Sequence, residues 1–314
     1  MGIREHRFGV EIEVVGRGRE EIARAMGAAI GAPAHGDTVI DAKGRAWRVV
    51  RDGSLSTTLS GEVVTPILTY DDLPLLQDVV RAVRASGARV DSSTGIHIHI
   101  DGAPFDARTV ANLVKLFNKQ QELIFHALGV SAHRRARYCK DVDPEFLRRI
   151  ESHRPRTLQD VNRLWYGRYN ARPQHFDMTR YHALNIHALF EKGTIEFRLF
   201  DGTLHAGEIK SYVQFVLSLA QMALSARAAS SRKRVFNPAS AKYDFRCFLL
   251  RLGLIGDGFK TARQHLMKRL SGSAAWKNGR PARPVAPAAE TAVVGIADAA
   301  DPESSEPAPA SVAA

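Results

Sequence analysis

Three stretches of this chain set ionisable residues at positions i and i+2 between apolar ones: Glu11-Ile12-Glu13, His97-Ile98-His99 and Glu196-Phe197-Arg198. That period belongs to a β-strand, whose successive side chains point to opposite faces. Each pattern predicts a strand with one apolar face that needs a core and one polar face that needs another purpose. Such strands confine the chain to a layered fold, with helices on one side of a sheet and a charged cleft on the other. Two carboxylates facing the same way, Glu11 and Glu13, repel one another, and burying either uncompensated is costly. A divalent cation removes that conflict; a solvated strand face is the plainer alternative. The two histidines follow Gly95, which admits a close approach of backbone or ligand, and they suit a metal or phosphate site. Glu196 and Arg198 read either as an ion pair within the sheet or as a metal-ligand glutamate beside a phosphate-binding arginine. Asp52, in Arg51-Asp52-Gly53-Ser54 and followed by Glu62, is alone no more than a turn signal. Taken together, these carboxylates with histidine and arginine at their margins suit hard cations, Mg²⁺ or Mn²⁺, bridging phosphates.

The rest of the chain agrees with an α+β fold whose sheet is mostly antiparallel. Strands are expected at 6–15, in a hairpin of 38–41 and 46–52, at 62–68, at 96–100, at 181–189 and at 194–200, the last two separated by the turn Glu191-Lys192-Gly193. Helical spacing predicts helices over 19–30, around Leu76–Val83, along Val110–Leu128 up to Gly129, over 206–226, and in two short pieces near 243–252 and 257–270. Residues 131–178 read as an irregular, Pro-interrupted basic insertion. From about residue 271 to 314 the Ala, Pro and Ser content predicts a disordered tail, leaving 1–270 as a single catalytic domain.

The net charge is +11, and the positive excess lies before residue 271 because the tail is net acidic. Such a balance favours anionic partners. Arg134, Arg135, Arg137, Arg148, Arg149, Arg154 and Arg156 make the insertion a candidate lid or acceptor-binding surface. Two cysteines, Cys139 and Cys247, exclude a disulfide framework and a Cys-based zinc cluster. No run reaches the roughly 18 apolar residues of a membrane span, and the charged N-terminus is no signal peptide. A cytoplasmic protein without membrane contact is expected.

The order of motifs resembles the amidoligase family of the glutamine synthetase and glutamate–cysteine ligase superfamily. The motifs are Phe8–Glu13, Asp52–Leu55, Gly61–Pro66, Gly95–His99, Arg180–Asn185 and Thr194–Arg198. The resemblance implies a glutamine-synthetase-like catalytic sheet and an ATP-dependent, Mg²⁺-using ligase joining a carboxylate to an amine through an acyl phosphate. It implies Glu11, His97 and Glu196 at one metal ion, and Glu13 and Glu62, with Asp52, at another. His99 is implied as the nucleotide-contacting histidine and Arg198 as the arginine that stabilises the transferred phosphoryl group. Arg198 and Asp52 are thus the expected catalytic pair, with Arg180 and Asn185 lining the nucleotide cleft. Strand one starts too early for the N-terminal domain of glutamine synthetase, and that enzyme's ammonia- and glutamate-binding loops have no counterpart here. The acid is therefore left open, free or linked to a peptide or protein, and so is the amine. Two other readings compete: a non-catalytic nucleic-acid-binding protein, which leaves the acidic face unexplained, and a metal-dependent phosphoesterase using the same cluster.

Overall fold

A computed structural model describes residues 2–55 and 57–280. The described residues up to 279 pack as one compact unit; the expected tail lies, from 281 onward, outside the described residues. The first strand, β1 (Phe8–Val15), buries Phe8, Val10, Ile12 and Val14 on one face, as its alternation requires. It occupies the middle of an eight-stranded sheet in the order β2-β3-β4-β5-β1-β6-β8-β7, all pairs antiparallel. The other strands are β2 (Ala34–His35), β3 (Thr38–Ile40), β4 (Ala46–Val50), β5 (Ser60–Val64), β6 (Gly95–Asp101), β7 (Leu184–Asn185) and β8 (Thr194–Asp201).

The apolar face carries four helices packed in the order α1 (Arg19–Ile30), α2 (Leu73–Ala85), α8 (Ala206–Ser225) and α3 (Ala107–Leu128). Ile96, Ile98, Ile100, Ile195 and Phe197 meet Val110, Phe117, Val213 and Val216 in one core. Each such side chain contributes roughly 1.5–3 kcal/mol when fully buried, so the sheet has a strong reason to keep this register. A one-residue slip would turn every acidic group of β1 into the core. Helix α3 starts at Asp106, whose carboxylate accepts from the Thr109 N–H, and stops at Gly129 in the left-handed conformation.

Two expectations fail. The segment 131–178 is not irregular throughout but holds three helices, α4 (Ala132–Arg137), α5 (Pro144–His153) and α6 (Leu158–Tyr166), while 167–177 is irregular as expected. Pro144 sits in the first turn of α5, where its missing N–H costs nothing, and Thr157 caps α6 with Asp160. These helices are anchored by Phe146 and Trp165, whose rings meet edge to face at 4.7 Å. The strand expected over 181–189 is only two residues, β7, followed by the short helix α7 (His187–Glu191). Two further helices, α9 (Ala241–Arg251) and α10 (Lys260–Met267), follow α8. Among the described residues no helix is long and apolar enough to cross a membrane.

Candidate functional site

The antiparallel register does what the sequence alone does not dictate: it sets the polar pairs against each other. Glu13 on β1 lies directly across from Glu62 on β5, Glu11 from His97 on β6, and His99 from Glu196 on β8. Four neighbouring strands thus bring four carboxylates and two imidazoles onto the face opposite the core. Asp52 joins from the loop after β4, its carboxylate anchored by the Ser54 N–H at 2.8 Å. Oxygen atoms of Glu13, Asp52 and Glu62 lie within 4.8 Å of one another, as do ligand atoms of Glu11, His99 and Glu196 and those of Glu11, Glu62 and His97.

The Glu13–Asp52–Glu62 group matches the expected second set. Both imidazoles border the Glu11–Glu196 pair: His99 lies 3.3 Å from Glu11 and 3.7 Å from Glu196, and His97 reaches Glu11 at 3.1 Å, Glu196 at 3.6 Å and Glu62 at 3.9 Å. His97 therefore stands centrally between the two groups. The Nδ1 of His99 meets the Thr194 hydroxyl at 2.9 Å, and its Nε2, 3.3 Å from Glu11, is buried without an aligned hydrogen-bond partner.

Arg198 donates to Glu196 Oε1 at 2.5 Å, and Asn185 donates to Glu196 Oε2 at 2.6 Å. Arg198 and Glu196 are both buried, so their ion pair within the sheet is a desolvated one. Asn185 is 1% exposed and faces Glu196, holding that carboxylate instead of lining the cleft. Arg180, half-buried, lies at the cleft wall and donates to the His175 carbonyl at 3.0 Å.

The protonation pattern follows from crowding. Burial pushes Glu62 well above the usual carboxylate range, and Glu11, Glu13, Asp52 and Glu196 push it further. Glu13 rises to about 7 through burial, partly relieved by the Arg134 guanidinium and worsened by Asp52. Burial acts the same way on Glu11, but the charge on His99, the hydrogen bond from His97 and the charge on His97 outweigh it and hold Glu11 well below its ordinary value. Glu196 falls to about 2 because Arg198 and the histidines outweigh its burial. His97 drops to about 4, from burial and then Arg198; His99 rises, since Glu11 and Glu196 overcome its burial. Two carboxylates that resist ionisation beside two that favour it mark a site that wants additional positive charge. The oxygen-rich donor set, with an imidazole nitrogen left unpartnered, fits Mg²⁺ or Mn²⁺.

Two cavities flank the cluster and share Glu11, Val64 and Lys192. One, about 310 Å³, runs past His99 between Phe8, Val10, Pro66, Ile67 and Ile100. The other, about 520 Å³, holds Glu13, Asp52, Glu62, Arg180 and Arg198 together with Tyr181. Lys192 is a residue the sequence reading left in a turn. Its Nζ lies 3.8 Å from Glu11 Oε1, and the turn is fixed by the Gly102 N–H donating to the Gly193 carbonyl at 2.9 Å. A lysine in the turn leading directly into the Glu196 strand is the signal that was there to find. In the insertion, much of the charge is internally matched: Arg135 bonds Asp141 and Glu122, Arg148 bonds Glu145, and Arg134 is buried against the sheet. Arg154 and Arg156 remain exposed.

The fold and site together define an antiparallel α+β scaffold carrying a carboxylate–imidazole cluster with arginines at its edge. The sequence model of the family described as "Putative amidoligase enzyme" matches residues 4–220, and the chain belongs to that family. No curated protein matches it. Among solved structures, a bifunctional glutathione synthetase from Pasteurella multocida is similar at 11% identity and a TM-score of 0.36, over 85% of this chain and 47% of that one. The chain spans about half the length of that protein.

Proposed function

We propose that this amidoligase joins a carboxylate to an amine at the expense of ATP, on a glutamine-synthetase-like sheet formed by residues 1–270 with a helical insertion at 131–178. The observation that carries the reading is the crowding of Glu11, Glu13, Asp52, Glu62 and Glu196 on one sheet face, which drives Glu62 and Glu13 upward. Glu13, Asp52 and Glu62 would hold one Mg²⁺ or Mn²⁺, and Glu11 and Glu196, with His97 and His99, another. Such ions, when bound, offset the charge of the triphosphate.

The nucleotide is assigned to the cavity beside His99, whose apolar walls suit a base, with His99 and Lys192 facing the phosphates. The acid and amine are assigned to the larger cavity, where Arg198 and Arg180 face the entering carboxylate. A carboxylate oxygen attacks the γ-phosphorus and ADP leaves; the amine then attacks the acyl carbon, inorganic phosphate leaves, and the amine gives up a proton. Arg198 lies where charge develops on the transferring group. Asp52, on a loop beside the same cavity, is the carboxylate assigned to accept the amine proton. The cytoplasm, where ATP is supplied and Cys139 and Cys247 stay as thiols, is the proposed compartment, and an anionic partner for the exposed arginines belongs to the same proposal.

Hydroxylamine captures acyl phosphates as hydroxamates and so tests the reaction without knowledge of the amine. Incubation with ATP, Mg²⁺ and a panel of free and peptide-borne carboxylic acids should give ADP and a hydroxamate with at least one acid. Release of phosphate from ATP or from phosphoesters, with no hydroxamate from any acid, would favour the phosphoesterase reading.

A further inference from the structure

Arg134 belongs to the first helix of the basic insertion, yet its side chain runs inward and is 3% exposed. A guanidinium stays charged at ordinary pH and is costly to bury unless its surroundings answer it. It lies against Gly95, where any Cβ would fall 2.6 Å from Cζ and closer still to Nη2. The glycine of the Gly95-to-His99 motif thus has a neighbour within the protein itself: it makes room for an arginine.

Two cleft groups depend on the atoms Arg134 touches. Its Nη2 donates to the Arg198 carbonyl at 3.2 Å. That carbonyl lies where β6 and β8 slip in register, Ile96 facing Phe200 but Ile98 facing Phe197, so that His97 opposes both Arg198 and Leu199. A bulge of this kind re-aims side chains and leaves backbone groups needing partners. The Arg198 N–H finds the Ala183 carbonyl at 2.9 Å, and its carbonyl finds Arg134. On the other side, the N–H of Gly95 donates to Glu13 Oε2 at 2.5 Å. Arg134 Nε has no hydrogen-bond partner of its own, with the equally unpartnered Asp201 Oδ1 3.5 Å away.

We propose that Arg134 is a positioning residue of the cleft, holding the β8 bulge and Gly95 so that Arg198 and Glu13 are presented together to the nucleotide and its cations. The proposal rests on the ligase reading of the cleft. It makes α4 part of the frame of the site and separates Arg134 in purpose from the exposed arginines of the same insertion.

Calorimetric titration of a non-hydrolysable ATP analogue with Mn²⁺ is the test, on the wild type, Arg134→Ala and Arg134→Lys, with melting temperatures as the folding control. The Ala variant should bind the analogue roughly tenfold or more weakly, and so should Lys, whose point charge cannot both lie flat on Gly95 and reach the bulge carbonyl. Guanidinium ion at millimolar, non-denaturing concentration should restore binding to the Ala variant, and ammonium should not. A purely structural arginine would show no such selective rescue. Wild-type affinity in either variant overturns the proposal, as does a folded Ala variant that guanidinium leaves weak. If the Ala variant does not fold, the Lys variant decides alone. A wild type that binds no analogue with metal defeats the ligase reading first and this proposal with it, an outcome distinct from the others.

Discussion

Replacing Glu13 with glutamine, in protein stripped of metal by a chelator, should stabilise the fold at alkaline pH. Burial raises this carboxyl from 4.5 to about 7, a net value that already includes the attraction of Arg134. At 1.36 kcal/mol per unit, that shift corresponds to about 3 kcal/mol. The folded-state value lies above the unfolded one, so the group's stabilising contribution is complete below the unfolded value and is lost as pH rises through about 7. Glutamine keeps the shape and an acceptor for the Gly95 N–H but removes the charge. The variant and the wild type should therefore be nearly equal at about pH 4 and differ by about 3 kcal/mol near pH 8, the variant being the more stable. For a chain of this size that is roughly 6–12 °C in melting temperature. Thermal or urea unfolding at both pH values measures it. Mg²⁺ at a thousandfold excess over its Kd should reverse the order, since it adds about 4.1 kcal/mol to the protein that binds it. A Glu13→Gln protein less stable than the wild type in chelator near pH 8 would refute the argument, because Glu13 would then be making a net favourable structural contact.

Two further outcomes follow from the same geometry. Arg198→Lys keeps a charge beside Glu196 but loses the planar fork, so ATP turnover should fall by roughly 100-fold or more while the folded state persists in circular dichroism; turnover like the wild type's would leave the Glu196–Arg198 pair purely structural. Because Glu13 and Glu62 hold protons more tightly than ordinary carboxylates, Mg²⁺ binding should release protons and strengthen as pH rises through about 7. Calorimetry in buffers of different ionisation enthalpy reads that release, and a buffer-independent heat at neutral pH would contradict it.

The strand-borne residues are legible in the sequence because period two is a local signal: Ile12, Ile98 and Phe197 announce which way Glu11, His97 and Arg198 must face. Their cross-strand pairings are not legible, since Glu13 meets Glu62 and His99 meets Glu196 only through register set far along the chain. For the same reason the sequence does not show that both His97 and His99 come within 4 Å of Glu11 and Glu196. The insertion misleads because a proline reads as a breaker, while Pro144 opens a helix. Asn185 lies on a strand of two residues, too short to show any period, and so its bond to Glu196 had no local trace.

Nucleotide binding with and without divalent metal addresses the central claim most directly. A carboxylate-rich face should repel a bare triphosphate and accept one accompanied by cations. Titration of the wild-type chain with a non-hydrolysable ATP analogue should give saturable binding in Mg²⁺ and none in excess chelator. Equal affinity in the two conditions would contradict the account, since the Glu11, Glu13, Asp52, Glu62 and Glu196 cluster would then have no part in holding the nucleotide.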